Sequence, residues 1–487
     1  CPAHDGEEGQ VMADALPDTP FLERINSIVG SAGWIDPTRA DGYFVDARNR
    51  FRGDAQLVVR PSSTNQVSQV VALCNQCGVG LVPYGGGTGG SAGHIDFEQR
   101  KIIVLSLERM NAIRSVSQDN DTIDVEAGCV LVNVKEAARQ HNRCFGLSLA
   151  SEGSCTIGGN LSSNAGGVQV LRYGNARDMC LGVEVVLPDG AILKNTGALR
   201  KDNTGYDLRH LMIGSEGTLG IITAATLKLF PVPKEIATVM CAFPSPGAAL
   251  ALLGDLRNEV GEAVTAFELM SRFGMDLATR HFPELGDPFE QSHSWFGLVD
   301  VEGHIGIGAQ LEGVLERMFS SGIVTDAVLA QSGKQRQSLW NLRELAYEYN
   351  RQEGVIFSSD TSVPIAEVEN FIAAVECALA GINPLLRVNC YGHVGDGNIH
   401  VNVFPPEGVA RSRFLLVNPT IQNELDIAIN ETTASCGGSI SAEHGIGRVK
   451  RDALLKFGDP VKQATMRAIK AAIDPNNIMN PGAVFAN

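Results

Sequence analysis

The stretch that decides the fold is Gly80-Leu81-Val82-Pro83-Tyr84-Gly85-Gly86-Gly87-Thr88-Gly89-Gly90. It opens as a short apolar strand and closes in a glycine-rich loop. Gly85, Gly87 and Gly90 fit the letters of the G-x-G-x-x-G dinucleotide fingerprint. That fingerprint, however, must open a helix whose N-terminus holds the pyrophosphate. Here Ser91-Ala92-Gly93-His94-Ile95-Asp96 leads instead towards a second strand, Ile102-Ile103-Val104-Leu105. The pattern argues against a nicotinamide-type Rossmann site. A glycine loop between two strands still binds phosphate, because consecutive N–H groups unobstructed by Cβ atoms form an anion nest.

Two further clusters extend this reading. One runs from Gly158-Gly159-Asn160 through Asn164-Ala165-Gly166-Gly167, and the other is Gly214-Ser215-Glu216-Gly217-Thr218-Leu219-Gly220 before the apolar Ile221-Ile222. Three clusters in one region point to a bound nucleotide rather than to tight turns alone. The G-K-[ST] ending of a P-loop is absent, so an ATP-hydrolysing site finds no support.

Around these loops the pattern alternates between helix and strand. A short amphipathic helix is expected over 20–30, and Leu57-Val58-Val59 reads as a strand. Ser62-Ser63-Thr64-Asn65 supplies N-cap residues for a helix reaching Cys77. Strand 122–126, helix 133–141 and strand 183–187 follow. Pro231-Val232-Pro233 then punctuates the chain. Beyond it, helices at 247–260, 307–319 and 365–379 mix with strands at 237–243, 294–301 and 385–393. The expected organisation is an N-terminal segment 1–40, a nucleotide-binding domain 41–233, an α+β domain 234–435 and a C-terminal segment 436–487.

The bulk numbers set limits. The chain has 487 residues, too many for one hydrophobic core. Its net charge of -16 leaves no positive stripe for nucleic acid or an anionic membrane. No apolar run approaches the roughly 18 residues that span a bilayer. The first twenty residues hold Asp5, Glu7, Glu8, Asp14 and Asp18 with no Lys or Arg, unlike a secretory or transit peptide. Cys1 to Val11 reads as a remnant preceding Met12. Eleven scattered cysteines suit a reducing compartment, and Cys74 with Cys77 reads as helix packing rather than redox chemistry.

A second informative stretch is Asn389-Cys390-Tyr391-Gly392-His393-Val394-Gly395-Asp396-Gly397-Asn398-Ile399-His400-Val401-Asn402-Val403. Asp396-Gly397 signals a two-residue hairpin turn. A turn centred there sets His393 directly opposite His400, and Tyr391 opposite Asn402. Two facing imidazoles are half of a divalent-metal site, and Glu443 in Ser441-Ala442-Glu443-His444-Gly445-Ile446-Gly447 is the best acidic third ligand. The donor set suits zinc, with manganese or iron as alternatives. On this reading alone, a metal hydrolase without any redox cofactor stays open.

The motifs Pro83 to Gly89, Ser154-Cys155-Thr156-Ile157-Gly158-Gly159-Asn160 and Ile213 to Gly220 resemble the vanillyl-alcohol-oxidase type of FAD-binding domain. The run Leu199-Arg200-Lys201-Asp202-Asn203-Thr204-Gly205-Tyr206-Asp207 is more similar to D-2-hydroxyglutarate dehydrogenases than to D-lactate dehydrogenases. The resemblance spans about residues 40 to 483. It implies a two-domain α+β flavoprotein, with an FAD domain of two α/β subdomains, a substrate (cap) domain and a C-terminal segment returning to the FAD domain. It implies FAD contacts from Pro83, Gly85, Gly86, Gly87, Thr88, Gly89, Gly90, Ser91, Ser154, Thr156, Gly158, Asn160, Asn164, Gly217, Ile222 and Asn480. With no His from Pro83 to Gly90, the FAD is expected to be non-covalent. The resemblance further implies metal ligation by His393, His400 and Glu443, a catalytic base in His444, and substrate contacts from Arg343, Asn402 and His444.

From the residues alone, Arg343 reads equally well as a surface helix arginine paired with Glu344 or Glu348. There is also a departure: the family's substrate-binding Thr falls at Tyr347 and its Lys near Ser358. The implied reaction is oxidation of a D-2-hydroxy acid, D-2-hydroxyglutarate first and D-lactate or a broader range second. Electrons would pass to an electron-transfer flavoprotein, a quinone or a cytochrome. A homodimer is the expected state, in the cytoplasm or, in a eukaryote, the mitochondrial matrix.

Overall fold

The computed structural model of the chain describes residues 19–46, 49–98 and 101–486. The acidic stretch up to Asp18 and the Cys1–Val11 remnant lie outside the described residues. The glycine loop hangs from a four-stranded sheet ordered Trp34–Ile35, Val58–Val59, Ile102–Ser106, Gly80–Tyr84. Gly80–Tyr84 runs parallel to Ile102–Ser106, and no described residue between them is helical. The glycines therefore occupy an irregular crossover rather than a helix start.

Helix Thr64–Cys77 covers this sheet for reasons visible in its residues. The Ser63 hydroxyl accepts from Gln66 N–H as the N-cap, and Gly78, at φ 66°, closes the C-terminus in the left-handed conformation. Val67, Val70, Val71 and Cys74 fall on one face and are fully buried. Cys74 is thus core, while Cys77 is exposed, and no disulfide links the described cysteines.

A five-stranded antiparallel sheet follows, ordered Ile113–Ser117, Thr122–Glu126, Ile221–Lys228, Cys180–Val186, Ile192–Asn195. Its two longest strands are buried almost throughout, with Glu184, Thr223 and Thr226 as their buried polar residues. One hydrophobic core joins these elements from Phe21 to Leu229, and Ile478 and Met479 re-enter it from the far end of the chain. The return is pinned by Leu81, whose N–H donates to Ile478 O at 2.7 Å and whose carbonyl accepts from Asn480 N–H at 2.7 Å.

Besides a two-stranded pair of Phe230–Pro231 with Arg143–Cys144, a larger sheet has seven antiparallel strands, ordered Asp326–Leu329, Glu235–Phe243, Trp295–Gly303, Val264–Ser271, Arg387–Gly392, Asn398–Phe404, Phe357–Ser362. Separate apolar cores fill its two faces. No helix among the described residues is long and apolar enough to cross a membrane.

The histidine hairpin departs from its expected register. Tyr391, not His393, lies opposite His400, and Asn389, not Tyr391, lies opposite Asn402. The strands end at Gly392 and resume at Asn398, so His393 to Gly397 form the connection. Asp396 and Asn398 both donate their N–H to His393 O at 3.2 Å. Gly397, at φ 82°, is the left-handed residue that ends this longer loop. An Asp-Gly pair suits either turn: a two-residue type I′ turn takes both residues at positive φ, while this longer loop takes only Gly397 there.

Gly397 also tests how tightly the loop is held, because a Cβ there would stand 2.0 Å from Val363 O. Gly397→Ala should destabilise the protein by about 3 kcal/mol or more in urea unfolding. Gly408→Ala, at φ 75° with nothing within 4 Å, should lose only about 1 kcal/mol from backbone strain. Equal losses would show that conformation, not the close approach to Val363, governs the loop.

Candidate active site

Strand Val264–Ser271 carries one charged residue, Glu268, in an otherwise apolar setting, and its side chain is fully buried. A carboxylate so placed must be compensated. Glu268 Oε1 meets His393 Nδ1 at 2.6 Å, and Oε2 accepts from Arg343 Nε at 2.7 Å. Burial alone would raise its pKa, yet the charges of His393 and Arg343 outweigh it and hold the carboxyl at about 2. His393 responds in kind: burial would lower it, but Glu268 lifts it to about 9. The Arg343 guanidinium also lies 4.8 Å from the centre of the Tyr391 ring. Arg343 is therefore buried and paired with Glu268, not a surface residue paired with Glu344 or Glu348.

Asp360, in strand Phe357–Ser362, is the second organising acid. It lies in register with His400, on the same sheet face. Oδ1 accepts from Asn398 Nδ2 at 3.0 Å, and Oδ2 accepts from the backbone N–H groups of Glu443 at 3.1 Å and His444 at 3.0 Å. His444 Nδ1 is 3.3 Å from Oδ2, and His400 Nδ1 is 3.8 Å from Oδ1. Burial opposes ionisation here too, but His444, Lys450, His400 and the donated N–H hold the carboxyl well below its ordinary value.

Because the backbone from Glu443 to His444 turns around one carboxylate oxygen, both side chains reach the cluster. Glu443 stands 3.9 Å from His393 Nε2, 3.9 Å from His400 Nε2 and 3.7 Å from His444 Nε2. Burial raises Glu443 to about 7, with Asp360 adding to the rise and His393 opposing it. Burial lowers His400. One ligand atom each from His393, His400 and Glu443 lies within 4.8 Å of the others. Both histidines back onto carboxylates, Glu268 and Asp360, the arrangement that orients imidazole ligands. The donor set fits a divalent ion. Asn402 is buried nearby and donates from Nδ2 to Tyr391 Oη at 3.2 Å.

The glycine loops adjoin this cluster. An added Cβ at Gly90 would lie 3.7 Å from His444 Cγ, and one at Gly86 only 2.2 Å from Ser154 O. Gly217 packs as closely on Pro83, where a Cβ would come within 2.3 Å of Cγ. Thr156 Oγ1 and Asn160 Nδ2 are buried beside the loop without a hydrogen-bond partner. Backbone donors without side-chain cover, plus orphaned polar atoms, fit a dinucleotide phosphate group.

Among the other expected contacts, Gly85, Gly87, Thr88 and Gly89 share that loop, Ser91 is buried at its end, and Gly158 lies on helix Ile157–Ser162. Ile222 lies in strand Ile221–Lys228. Asn164 accepts from Arg177 N–H at 3.0 Å. Asn480 Nδ2 donates to Gly93 O at 2.9 Å and Glu216 O at 2.8 Å, so its amide serves the protein's own loops.

Glu268 and Asp360 were not anticipated. A lone acid inside an apolar strand was a readable signal for Glu268; Asp360 sits among serines and gave none.

Comparison with known proteins identifies the domains that carry these residues. The family model described as "FAD binding domain" matches residues 55–196, and "FAD linked oxidases, C-terminal domain" matches residues 232–484. The D-2-hydroxyglutarate dehydrogenase, mitochondrial, of Arabidopsis thaliana is 33% identical, covering 96% of this chain and 82% of the relative. That of Rattus norvegicus is 36% identical, covering 92% and 81%. The solved structure of p-cresol methylhydroxylase with substrate bound shares the fold, with TM-score 0.75 and 17% identity over 96% of each chain. The architecture is the vanillyl-alcohol-oxidase type, and an FAD binding domain removes the flavin-free hydrolase reading. The chain belongs to the FAD-linked D-2-hydroxyglutarate dehydrogenase family of oxidoreductases.

Proposed function

We propose that this enzyme oxidises a D-2-hydroxy acid, D-2-hydroxyglutarate first, to the 2-oxo acid, with non-covalent FAD and a divalent metal. The observation that carries the reading is the junction at His444, which touches the His393–His400–Glu443 cluster on one side and the Gly90 loop on the other. FAD, when bound by the three glycine loops, supplies the acceptor for the hydride leaving C2. A divalent ion, when held by His393, His400 and Glu443, supplies Lewis-acid polarisation of the substrate hydroxyl; zinc is the first choice, manganese or iron the others.

The chain's own residues do the rest. His444 takes the hydroxyl proton at Nε2, because Nδ1 faces Asp360 and the carboxylate stabilises the imidazolium as it forms. Arg343 holds the substrate carboxylate, and Asn402 lines the same face of the sheet. An electron-transfer flavoprotein, a quinone or a cytochrome would be the final acceptor of the electrons. We place the enzyme, as a homodimer, in the cytoplasm or the mitochondrial matrix.

A second reading is D-lactate or another hydroxy acid lacking a distal carboxylate. It draws support from Tyr347, half exposed, and from Ser358, exposed and in register with Asn402: neither offers a cation where the family has Thr and Lys.

Anaerobic mixing with D-2-hydroxyglutarate should bleach the oxidised-flavin absorbance rapidly. Bleaching by D-lactate alone would establish the second reading, and a protein that takes up no FAD would refute both. Prolonged chelation should abolish bleaching while FAD remains bound, and added Zn²⁺ or Mn²⁺ should restore it. Undiminished reduction in exhaustively chelated enzyme would remove the metal from the mechanism. His444→Asn should slow flavin reduction about 10²–10⁴-fold in stopped-flow traces while leaving FAD content intact. A loss of only two- or threefold would assign the proton to another group.

A further inference from the structure

Glu216 lies in the third glycine cluster, on a backbone that only its surroundings can impose. Its φ is 53°, a left-handed value that is strained for a glutamate, between Gly214 at 81° and Gly217 at 71°. Its N–H donates to Ser162 O at 2.8 Å, and its carbonyl accepts from Asn480 Nδ2 at 2.8 Å. With both backbone groups held, the side chain is aimed towards the segment bearing Glu443 and His444. There Oε1 accepts from Ile446 N–H at 2.8 Å, and Oε2 from Gly447 N–H at 2.7 Å. A Cβ at Gly445 would stand 2.9 Å from Oε1, so the segment lies flat against the carboxylate. Asp360 of the seven-stranded sheet grips the same segment through the N–H groups of Glu443 and His444.

We propose that Glu216 is a positioning residue, by which the FAD domain sets the orientation of Glu443 and His444 over the glycine loops. The inference rests on the metal and base roles given above. The segment is gripped from both sides: Asp360 fixes its beginning to one sheet, and Glu216 fixes its end to the loop that ends at Gly217. A carboxylate suits this place, because the two N–H donors are shared out one to each of its oxygens. Glutamine offers one, and its amide NH₂ would face the second N–H donor to donor.

The test uses the FAD-loaded full chain, freed of metal, and measures Zn²⁺ affinity by competition with a chelator and amide exchange across residues 443–448. Glu216→Gln should retain FAD, weaken Zn²⁺ binding about 10-fold or more, and speed exchange at Ile446 and Gly447. A role in packing alone would lower FAD retention and thermal stability but leave Zn²⁺ affinity unchanged in the folded fraction. Wild-type Zn²⁺ affinity and exchange in this variant would overturn the proposal. Should Glu216→Gln not fold, Gly445→Ala presses on the same carboxylate from the other side, and wild-type Zn²⁺ affinity there would overturn it equally. If the unmodified protein binds no Zn²⁺, the metal reading fails on its own. The exchange comparison then decides Glu216, slow exchange in Glu216→Gln counting against it.

Discussion

A carboxylate taken out of water loses several kcal/mol of hydration unless cations or N–H donors replace it. This site is built around acids in that position. Glu268 and Asp360 each answer the constraint by sharing their two oxygens between groups from different elements. Glu268 draws in Arg343 from helix Gly333–Glu344 and His393 from the hairpin loop. Asp360 draws in Asn398 from the neighbouring strand and the backbone of the 443–444 segment. Neither acid touches the glycine loops, yet they settle which way His393, His400 and His444 point. Removing one partner would leave a buried charge exposed to nothing that compensates it, so the elements are held in place together.

Chain order explains how such distant residues meet. The seven-stranded sheet puts Val264–Ser271, Arg387–Gly392, Asn398–Phe404 and Phe357–Ser362 side by side. Glu268, Tyr391, His400 and Asp360 come from four consecutive strands of that sheet. The last stretch of the chain then crosses back. Arg448 donates to Gly93 O and Pro481 O, and Met479 pairs with Leu81 at the edge of the first sheet. The segment carrying Glu443 and His444 lies on that path, which is why it meets both His393 with His400 and the loop ending at Gly90.

Much of this was legible in the residues. The failed Rossmann pattern at Gly85 to Gly90 was decided by what followed, a strand instead of a helix, and local sequence carries that information. The helix ending at Cys77 was marked by its Ser63 cap and its apolar spacing. The gathering of His393, His400, Glu443 and His444 was expected, although the register beneath it was off by two residues. Asp-Gly specifies a positive φ without specifying how many residues precede it, so the turn's length was never encoded locally. Long-range pairing was harder still. Nothing near Arg343 announces Glu268, which lies 75 residues earlier, and the local acids Glu344 and Glu348 offered a plausible but incorrect partner.

The balance of charge bears on what the pocket admits. Of the cations at the cluster, Lys450 is engaged by the main chain and carboxylate of Asp360, and Arg343 meets Glu268 through Nε. Glu443 adds a third acid, and the chain as a whole carries -16. An anionic hydroxy acid approaching this surface therefore meets few cations, Arg343 foremost among them. A divalent ion held by His393, His400 and Glu443 would add positive charge there, next to the Arg343 proposed to hold the substrate carboxylate. Nothing comparable stands at Tyr347 or Ser358. On the proposed reading, the chemistry at C2 and the recognition of the far end of the substrate are thus separable: the first rests on the His393–His400–Glu443 cluster with His444, and the second on positions such as Tyr347 and Ser358.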